Sequence, residues 1–354
     1  MNREIKIKDK VIIGENTPCY MIAEMSANHG GDIHRAIEII HRAKESGADC
    51  IKIQTYTPDT MTIDCDNGYF QIQKGTWKGE NLYKLYGKAY TPWEWQSQLK
   101  EEAEKIGLDF LSTPFDKTAV DFLEELKIDF YKIASFEVTD IPLIRYIASK
   151  GKPIILSTGM ATFEEIEEAV AVVKAQRNEN ICLLRCSSAY PAIPQDMNLK
   201  AMIHLRDSFG LPVGLSDHSM GSVAAITAVA LGAKIVEKHF CISREIENPD
   251  ASFSMEAHEF RDMVADIRAA ETAMGKINFE LSESEKSSRV FRRSIFAVED
   301  IKAGEVFTHQ NIRIIRPAFG LEPKYIDQVL GKRAVKDIER GTPLNWNLVR
   351  TENK

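Results

Sequence analysis

The sequence has no uninterrupted apolar run near the roughly 20 residues that a membrane-spanning helix needs. Its first residues, Met-Asn-Arg-Glu-Ile-Lys-Ile-Lys, contain no apolar core of signal-peptide length. A cytoplasmic protein with no membrane partner is expected. An excess of positive charge is also missing: 45 Lys and Arg against 52 Asp and Glu leave a net charge of −7. Such a chain is not drawn to duplex nucleic acid, so no nucleic-acid partner is expected. The metal and redox spacings C-x-x-C and H-E-x-x-H are absent. Four of the six cysteines (Cys19, Cys50, Cys182, Cys186) lie in or beside apolar runs, while Cys65 and Cys241 stand apart. Cys182 and Cys186 share a strand face, but at strand rise their Cα atoms stand roughly 13 Å apart, too far for a disulfide. Free thiols in a reducing compartment are the expectation.

What is present is regular alternation. The 354 residues are 44% hydrophobic and 27% charged, enough for a sizeable core and against a disordered chain. β-rich runs occur at 19–24, 50–54, 109–113, 130–135, 153–158, 181–186, 212–217 and 234–239. Helical patterns separate them, and a last one covers about 257–274. Thr91-Pro92-Trp93-Glu94 reads as a helix start with Thr91 as N-cap. Eight strands with crossover helices predict an α/β fold, a (β/α)8 TIM barrel over 1–275. A doubly wound open sheet remains the alternative. A polar stretch follows at 276–290, read as a linker, and 291–354 reads as a small β-rich domain. Within it, Asp300-Ile301-Lys302-Ala303-Gly304 and Asp337-Ile338-Glu339-Arg340-Gly341 echo one another, suggesting internal pseudo-symmetry.

In a barrel the active site lies where the strands end. Every strand end here is polar: Glu24, Lys52 with Gln54, Ser112-Thr113, Lys132 with Ser135, Ser157-Thr158, Ser187-Ser188 with Tyr190, Ser216-Asp217-His218, and Glu237-Lys238-His239. Singly, each has a dull explanation as a helix cap, a snorkelling charge or a structural imidazole. Lys52 and Lys132, however, interrupt apolar runs, and a buried Lys is costly without an anion. With neighbouring hydroxyls they form a cradle for phosphate or carboxylate. His218 and His239 end adjacent strands, with Glu24 and Asp250 near, which suits a divalent cation acting as a Lewis acid.

Three stretches resemble motifs of the sialic acid synthase family: Ala23 to Gly31, Gly214-Leu215-Ser216-Asp217-His218-Ser219, and Ile235-Val236-Glu237-Lys238-His239-Phe240. The C-terminal segment, with Arg316-Pro317, resembles the antifreeze-like (SAF) domain of that family. Within the family, the pseudaminic acid synthases are most similar, through 53–59, 91–95, 132–137 and 289–294. The resemblance implies a transferase that condenses phosphoenolpyruvate with an open-chain N-acylated amino sugar and water, releasing phosphate. It implies that Lys52, Thr113, Lys132, Ser135, Ser157 and Ser216 hold phosphoenolpyruvate. His218 and His239 would bind Mn²⁺, or Mg²⁺ or Co²⁺, and Glu24 would act as general base or electrostatic partner. Asp250, Tyr190 and Arg316 would bind the sugar. The loop after the sixth strand departs from the family pattern: Ser187-Ser188 stands where Thr-Asn is frequent.

For the pseudaminic acid branch the implied sugar is 2,4-diacetamido-2,4,6-trideoxy-L-altrose. N-acetylneuraminate or legionaminic acid synthesis, with the same chemistry, is the alternative. A non-catalytic carbohydrate-binding protein is the reading from another class. The insertion after strand two carries Tyr69, Phe70, Trp77, Tyr83 and Tyr86, which either wall the sugar site or anchor the loop. The resemblance further implies a domain-swapped homodimer, each small domain capping its partner's barrel.

Overall fold

The computed structural model describes residues 4–7, 10–14 and 17–350. The barrel strands are β1 Tyr20–Glu24, β2 Cys50–Thr55, β3 Asp109–Pro114, β4 Tyr131–Ile133, β5 Ile154–Ser157, β6 Ile181–Cys186, β7 Val213–Asp217 and β8 Ile235–Cys241. Neighbours pair in parallel, and β8 bonds to both β7 and β1, so the sheet closes into a TIM barrel. Closure explains the sequence pattern. A parallel strand covered on both faces is apolar throughout and turns polar only where it ends.

Eight helices follow the strands: α1 Ile33–Glu45, α2 Trp93–Lys105, α3 Lys117–Glu125, α4 Ile141–Ala148, α5 Phe163–Ala175, α6 Lys200–Phe209, α7 Val223–Ala230 and α8 Ala257–Met274. Their starts are chemically marked. Asp32, Asp116 and Asp140 each accept backbone N–H groups of the first turn, and Thr162 with Glu165 forms a capping box. Thr91 does not cap α2. Pro92 holds that position, and the buried Thr91 hydroxyl lies 3.3 Å from His29 Nε2.

A hairpin that the strand reading omits precedes β1. Ile5–Ile7 pairs antiparallel with Lys10–Ile13. Its Ile5, Ile7, Ile12 and Ile13 join Tyr20, Cys50, Leu111 and Ile235 in one apolar cluster. The hairpin therefore closes the end of the barrel where strands begin and leaves the other end for chemistry.

The chain divides into two compact units, Met1–Gly275 and Lys276–Lys354. In the second, Ser294–Ala297 pairs antiparallel with Ile312–Ile315. Arg333 and Ala334 make isolated bridges, to Val306 and Val349. The two echoing phrases face each other. Ile301 and Ile338 exchange backbone hydrogen bonds, both at 2.8 Å. Asp300 Oδ1 accepts the Arg340 N–H and Asp337 Oδ1 accepts the Ala303 N–H, again at 2.8 Å each. The echo is a local two-fold arrangement, each Asp holding the turn of the other copy. Among the described residues, no helix is long and apolar enough to cross a membrane.

Candidate active site

Alternation along β8 turns Glu237 and His239 to the side of Ile235, inside the barrel, and Lys238 to the other. Glu237 is the centre of the site. Its Oε1 accepts from Lys52 Nζ at 3.0 Å, Lys132 Nζ at 3.0 Å and Ser216 Oγ at 3.1 Å. Lys132 also donates to Ser157 Oγ at 2.7 Å. Lys52 Nζ stands 3.1 Å from Glu24 Oε2, and Glu24 Oε1 accepts from Gln54 Nε2 at 2.9 Å. Gln54 Nε2 donates further to Ser26 Oγ at 3.0 Å. The structure thus brings Glu24, Lys52, Lys132, Ser157 and Ser216 together through Glu237, a residue noted at the strand end without a role. The period of two that pairs Glu237 with His239 was the available signal.

All four charges are buried. Burial raises the Glu24 carboxyl above its ordinary range, Lys52 pulls it down and Glu237 pushes it up again. For Glu237, burial also raises, but Lys132 and Lys52 overwhelm it and hold the group low, ionised. Burial lowers Lys132, partly offset by Glu237. On Lys52 burial is outweighed by Glu237 and Glu24, and the ammonium is held more firmly. Two cations balanced by two carboxylates is the condition under which such burial is tolerable.

Thr113 and Ser135 border this cluster. Thr113 Oγ1 is buried with no partner, and Ser135 Oγ accepts the Gly159 N–H at 3.0 Å. Orphaned buried atoms concentrate here. Among the described residues, Asn28 Oδ1, Thr113 Oγ1, Asp116 Oδ2, Glu137 Oε2, Glu237 Oε2 and His239 Nδ1 lack hydrogen-bond partners; Thr113 lies on β3, Glu237 and His239 on β8, and the others in the turns after β1, β3 and β4. Buried polar atoms are normally satisfied, so this end of the barrel is built for a polar ligand.

The rings of His218 and His239 stand 5.4 Å apart. His218 Nδ1 lies 3.0 Å from the Ser187 carbonyl, which only accepts, so Nδ1 carries a hydrogen and Nε2 is the nitrogen a ligand could take; burial lowers this imidazole, but Cys186, 3.7 Å from Nδ1, and the Ser187 carbonyl raise it above its ordinary value. Burial, His218 and Lys52 lower the His239 imidazole and keep it neutral. Its Nδ1 is orphaned, 3.7 Å from Asp250 Oδ2, which also accepts the Ala27 N–H at 3.1 Å. An orphaned neutral imidazole beside a second imidazole and a carboxylate fits a divalent cation. Among the described residues no group of three or more His, Cys, Asp or Glu encloses an ion. An ion here would complete its shell with water and substrate, as catalytic sites do. Tyr190 packs on His218 with ring centroids 4.2 Å apart. Arg316 lies in the second unit. His29, though part of the motif after β1, is structural: its Nδ1 accepts the Gly31 N–H, and burial lowers it to about 4.

Glu137, in the turn after β4, carries a testable electrostatic cost. Burial and the nearby Asp140 raise its carboxyl to about 7 from an ordinary 4.5. Below pH 4.5 the group is neutral folded and unfolded and costs nothing. As pH rises toward 7 the unfolded chain ionises first, and stability drains away. Glu137→Gln is expected to stabilise the protein at pH 8 by up to about 3 kcal/mol and to change nothing at pH 4. Denaturant melts at the two pH values check it.

The family model described as NeuB family matches residues 39–279. The chain belongs to the NeuB family. The SAF domain model matches 292–350 of this NeuB-family chain. A pseudaminic acid synthase of Campylobacter jejuni is 46% identical over 92% of this chain and 95% of its own length. A pseudaminic acid synthase of Helicobacter pylori is 44% identical, covering 93% and 97%. Among solved structures, an N-acetylneuraminic acid (sialic acid) synthetase from Leptospira borgpetersenii superposes with a TM-score of 0.72 at 32% identity, over 81% of this chain and 95% of that one.

Proposed function

We propose that the chain is a pseudaminic acid synthase, condensing phosphoenolpyruvate with 2,4-diacetamido-2,4,6-trideoxy-L-altrose and water to give pseudaminic acid and phosphate. The observation that carries this is the convergence of Lys52, Lys132 and Ser216 on one Glu237 oxygen, with Ser157 bonded to Lys132, in a chain 44–46% identical to synthases of that name. Each ammonium has three N–H donors. Lys132 spends two, on Ser157 and Glu237, and Lys52 spends its contacts on Glu237 and Glu24. A donor on each remains for the phosphate or carboxylate of phosphoenolpyruvate, and the unpartnered Thr113 hydroxyl adds another. Ser135 lines the same cradle.

Glu24, raised by burial and steered by Gln54, takes the proton of the water that adds at C2. His218 and His239, with Asp250 beside them, would hold the divalent cation, Mn²⁺ first and Mg²⁺ or Co²⁺ as alternatives. Bound there, it supplies a Lewis acid that polarises the sugar aldehyde. Asp250 and Tyr190 orient the sugar chain. Residues on four successive βα turns, Phe136, Met160, Ile193 and Met220 with Val223, are exposed and apolar. A partner's small domain, bringing its Arg316 to the sugar, is the cap that would cover them in a domain-swapped homodimer.

Phosphate release from phosphoenolpyruvate is measured over a panel of hexosamines with Mn²⁺ or EDTA, with product masses. Release must need both sugar and metal, and the trideoxy sugar must be the best substrate. Preference for N-acetylmannosamine instead would establish the sialic acid reading, which the Leptospira neighbour favours. Mixing inactive Glu24→Ala and Arg316→Ala chains should restore activity if the small domains are exchanged.

The cradle is packed against Gly159. A Cβ there would collide with the hydroxyls of Ser188 and Ser135, the latter at 2.8 Å. Gly159→Ala is expected to cost about 1–3 kcal/mol in stability and to raise the KM for phosphoenolpyruvate more than that for the sugar. Steady-state kinetics on both substrates decide this.

A further inference from the structure

Of the five insertion aromatics Tyr69, Phe70, Trp77, Tyr83 and Tyr86, the structure separates one from the rest. Tyr69 is 92% exposed, Tyr83 bonds Asp59, and Tyr86 packs on Tyr56 within the loop. Among the described ring contacts, Trp77 alone of the five meets the side chains that pack on the histidine pair. Its ring lies 5.5 Å from Tyr190 and 6.2 Å from Phe253. Tyr190 and Phe253 in turn pack on the histidines, Phe253 at 5.0 Å from His239. Trp77, Tyr190 and Phe253 form a continuous aromatic wall beside the two histidines.

Trp77 is held there by two polar ties. Its Nε1–H donates to the Pro249 carbonyl at 2.9 Å, and the Thr76 hydroxyl donates to the Tyr190 carbonyl. Indole has one donor and no acceptor, so Trp77 has no polar atom left for a ligand, and Phe253 has none.

We propose that Trp77, backed by Phe253 and Tyr190, sets sugar specificity by taking the apolar 6-deoxy end of the substrate and leaving a 6-hydroxyl unpaired. The inference rests on the reading of the protein as a pseudaminic acid synthase. A hydroxyl pressed on the Trp77 and Phe253 faces loses its water and gains no partner there. Because an apolar site rejects an added hydroxyl only modestly, discrimination of about 10²-fold is the ceiling.

The test is kcat/KM with phosphoenolpyruvate and Mn²⁺ for the trideoxy sugar and for its 6-hydroxy counterpart. Wild type should favour the deoxy sugar. Trp77→Ala should lower that ratio about tenfold, mainly by losing activity on the deoxy sugar. Trp77→Phe loses the Pro249 tie but keeps an apolar face, and should keep most of the ratio. A ratio unmoved by Trp77→Ala overturns the inference while the function stands. So does a loss in Trp77→Phe as large as in Trp77→Ala, because then the tie and not the apolar face decides. No phosphate release by wild type with any sugar overturns the function, and the inference falls with it.

Discussion

Glu237→Gln is expected to destabilise the protein by about 3–5 kcal/mol, as the loss of one partner from a buried ion pair does, and to reduce kcat/KM at least 10²-fold. The amide keeps the shape and an acceptor oxygen but removes the charge that offsets Lys52 and Lys132. Lys52 retains Glu24. Lys132 retains only neutral acceptors, the amide oxygen and the Ser157 hydroxyl, and burial, already lowering it, then favours the neutral amine. An uncharged Lys132 cannot hold a phosphate or carboxylate as an ammonium does. The double variant Lys132→Met with Glu237→Gln separates the two effects. It restores charge balance, one Lys against one Glu, and should recover at least about 1 kcal/mol over Glu237→Gln. It should recover no activity. If the double variant is no more stable than the single, charge balance does not hold this cluster together. Recovery of turnover would show that Lys132 does not bind the substrate anion.

The barrel was legible because closure imposes one pattern on every strand: apolar body, polar end. Lys52 and Lys132 stood out against that pattern, and the structure brings both to one carboxylate. Glu237 was harder to single out, because strand eight ends in three consecutive polar residues and only the pleat separates them. Once alternation is applied, Glu237 and His239 share a face and Lys238 leaves it. The hairpin 5–13 was not legible. Its strands are three and four residues long and interrupted by lysine, so local pattern is weak and only the barrel floor gives their isoleucines somewhere to go. Thr91 illustrates the opposite failure. Its local sequence is that of a helix cap, yet packing against His29 claims the hydroxyl. Trp77 lies in a loop with no period, and its approach to Tyr190 depends on contacts more than a hundred residues away in sequence.

The face of β7 and β8 turned away from the barrel interior carries a second buried pair, whose loss should act on the histidines without touching them. Lys238 Nζ donates to Asp217 Oδ2 and to the Ser219 carbonyl, both at 2.6 Å. Asp217 Oδ1 accepts from the Ser219 N–H at 2.9 Å and its hydroxyl at 2.7 Å. Asp217 and Lys238 are 1% and 2% exposed, and each precedes a histidine in sequence, His218 and His239. The pair therefore ties together the two backbone segments from which the imidazoles project. Lys238→Met should cost about 3–5 kcal/mol by leaving Asp217 buried and unpaired. Asp217→Leu with Lys238→Met removes both charges and should recover most of that stability. Binding of the proposed cation should not recover with it, because the double variant also removes the Asp217 bonds to Ser219 that Lys238→Met leaves in place, and the Ser219 turn then loses its clamp. Weakening of about 10–100-fold in Mn²⁺ affinity, the scale of lost outer support in metal sites, is the expected result by calorimetric titration. Full Mn²⁺ affinity in the stable double variant would mean that the histidines are held by their own strands alone, and that this ion pair serves only the fold.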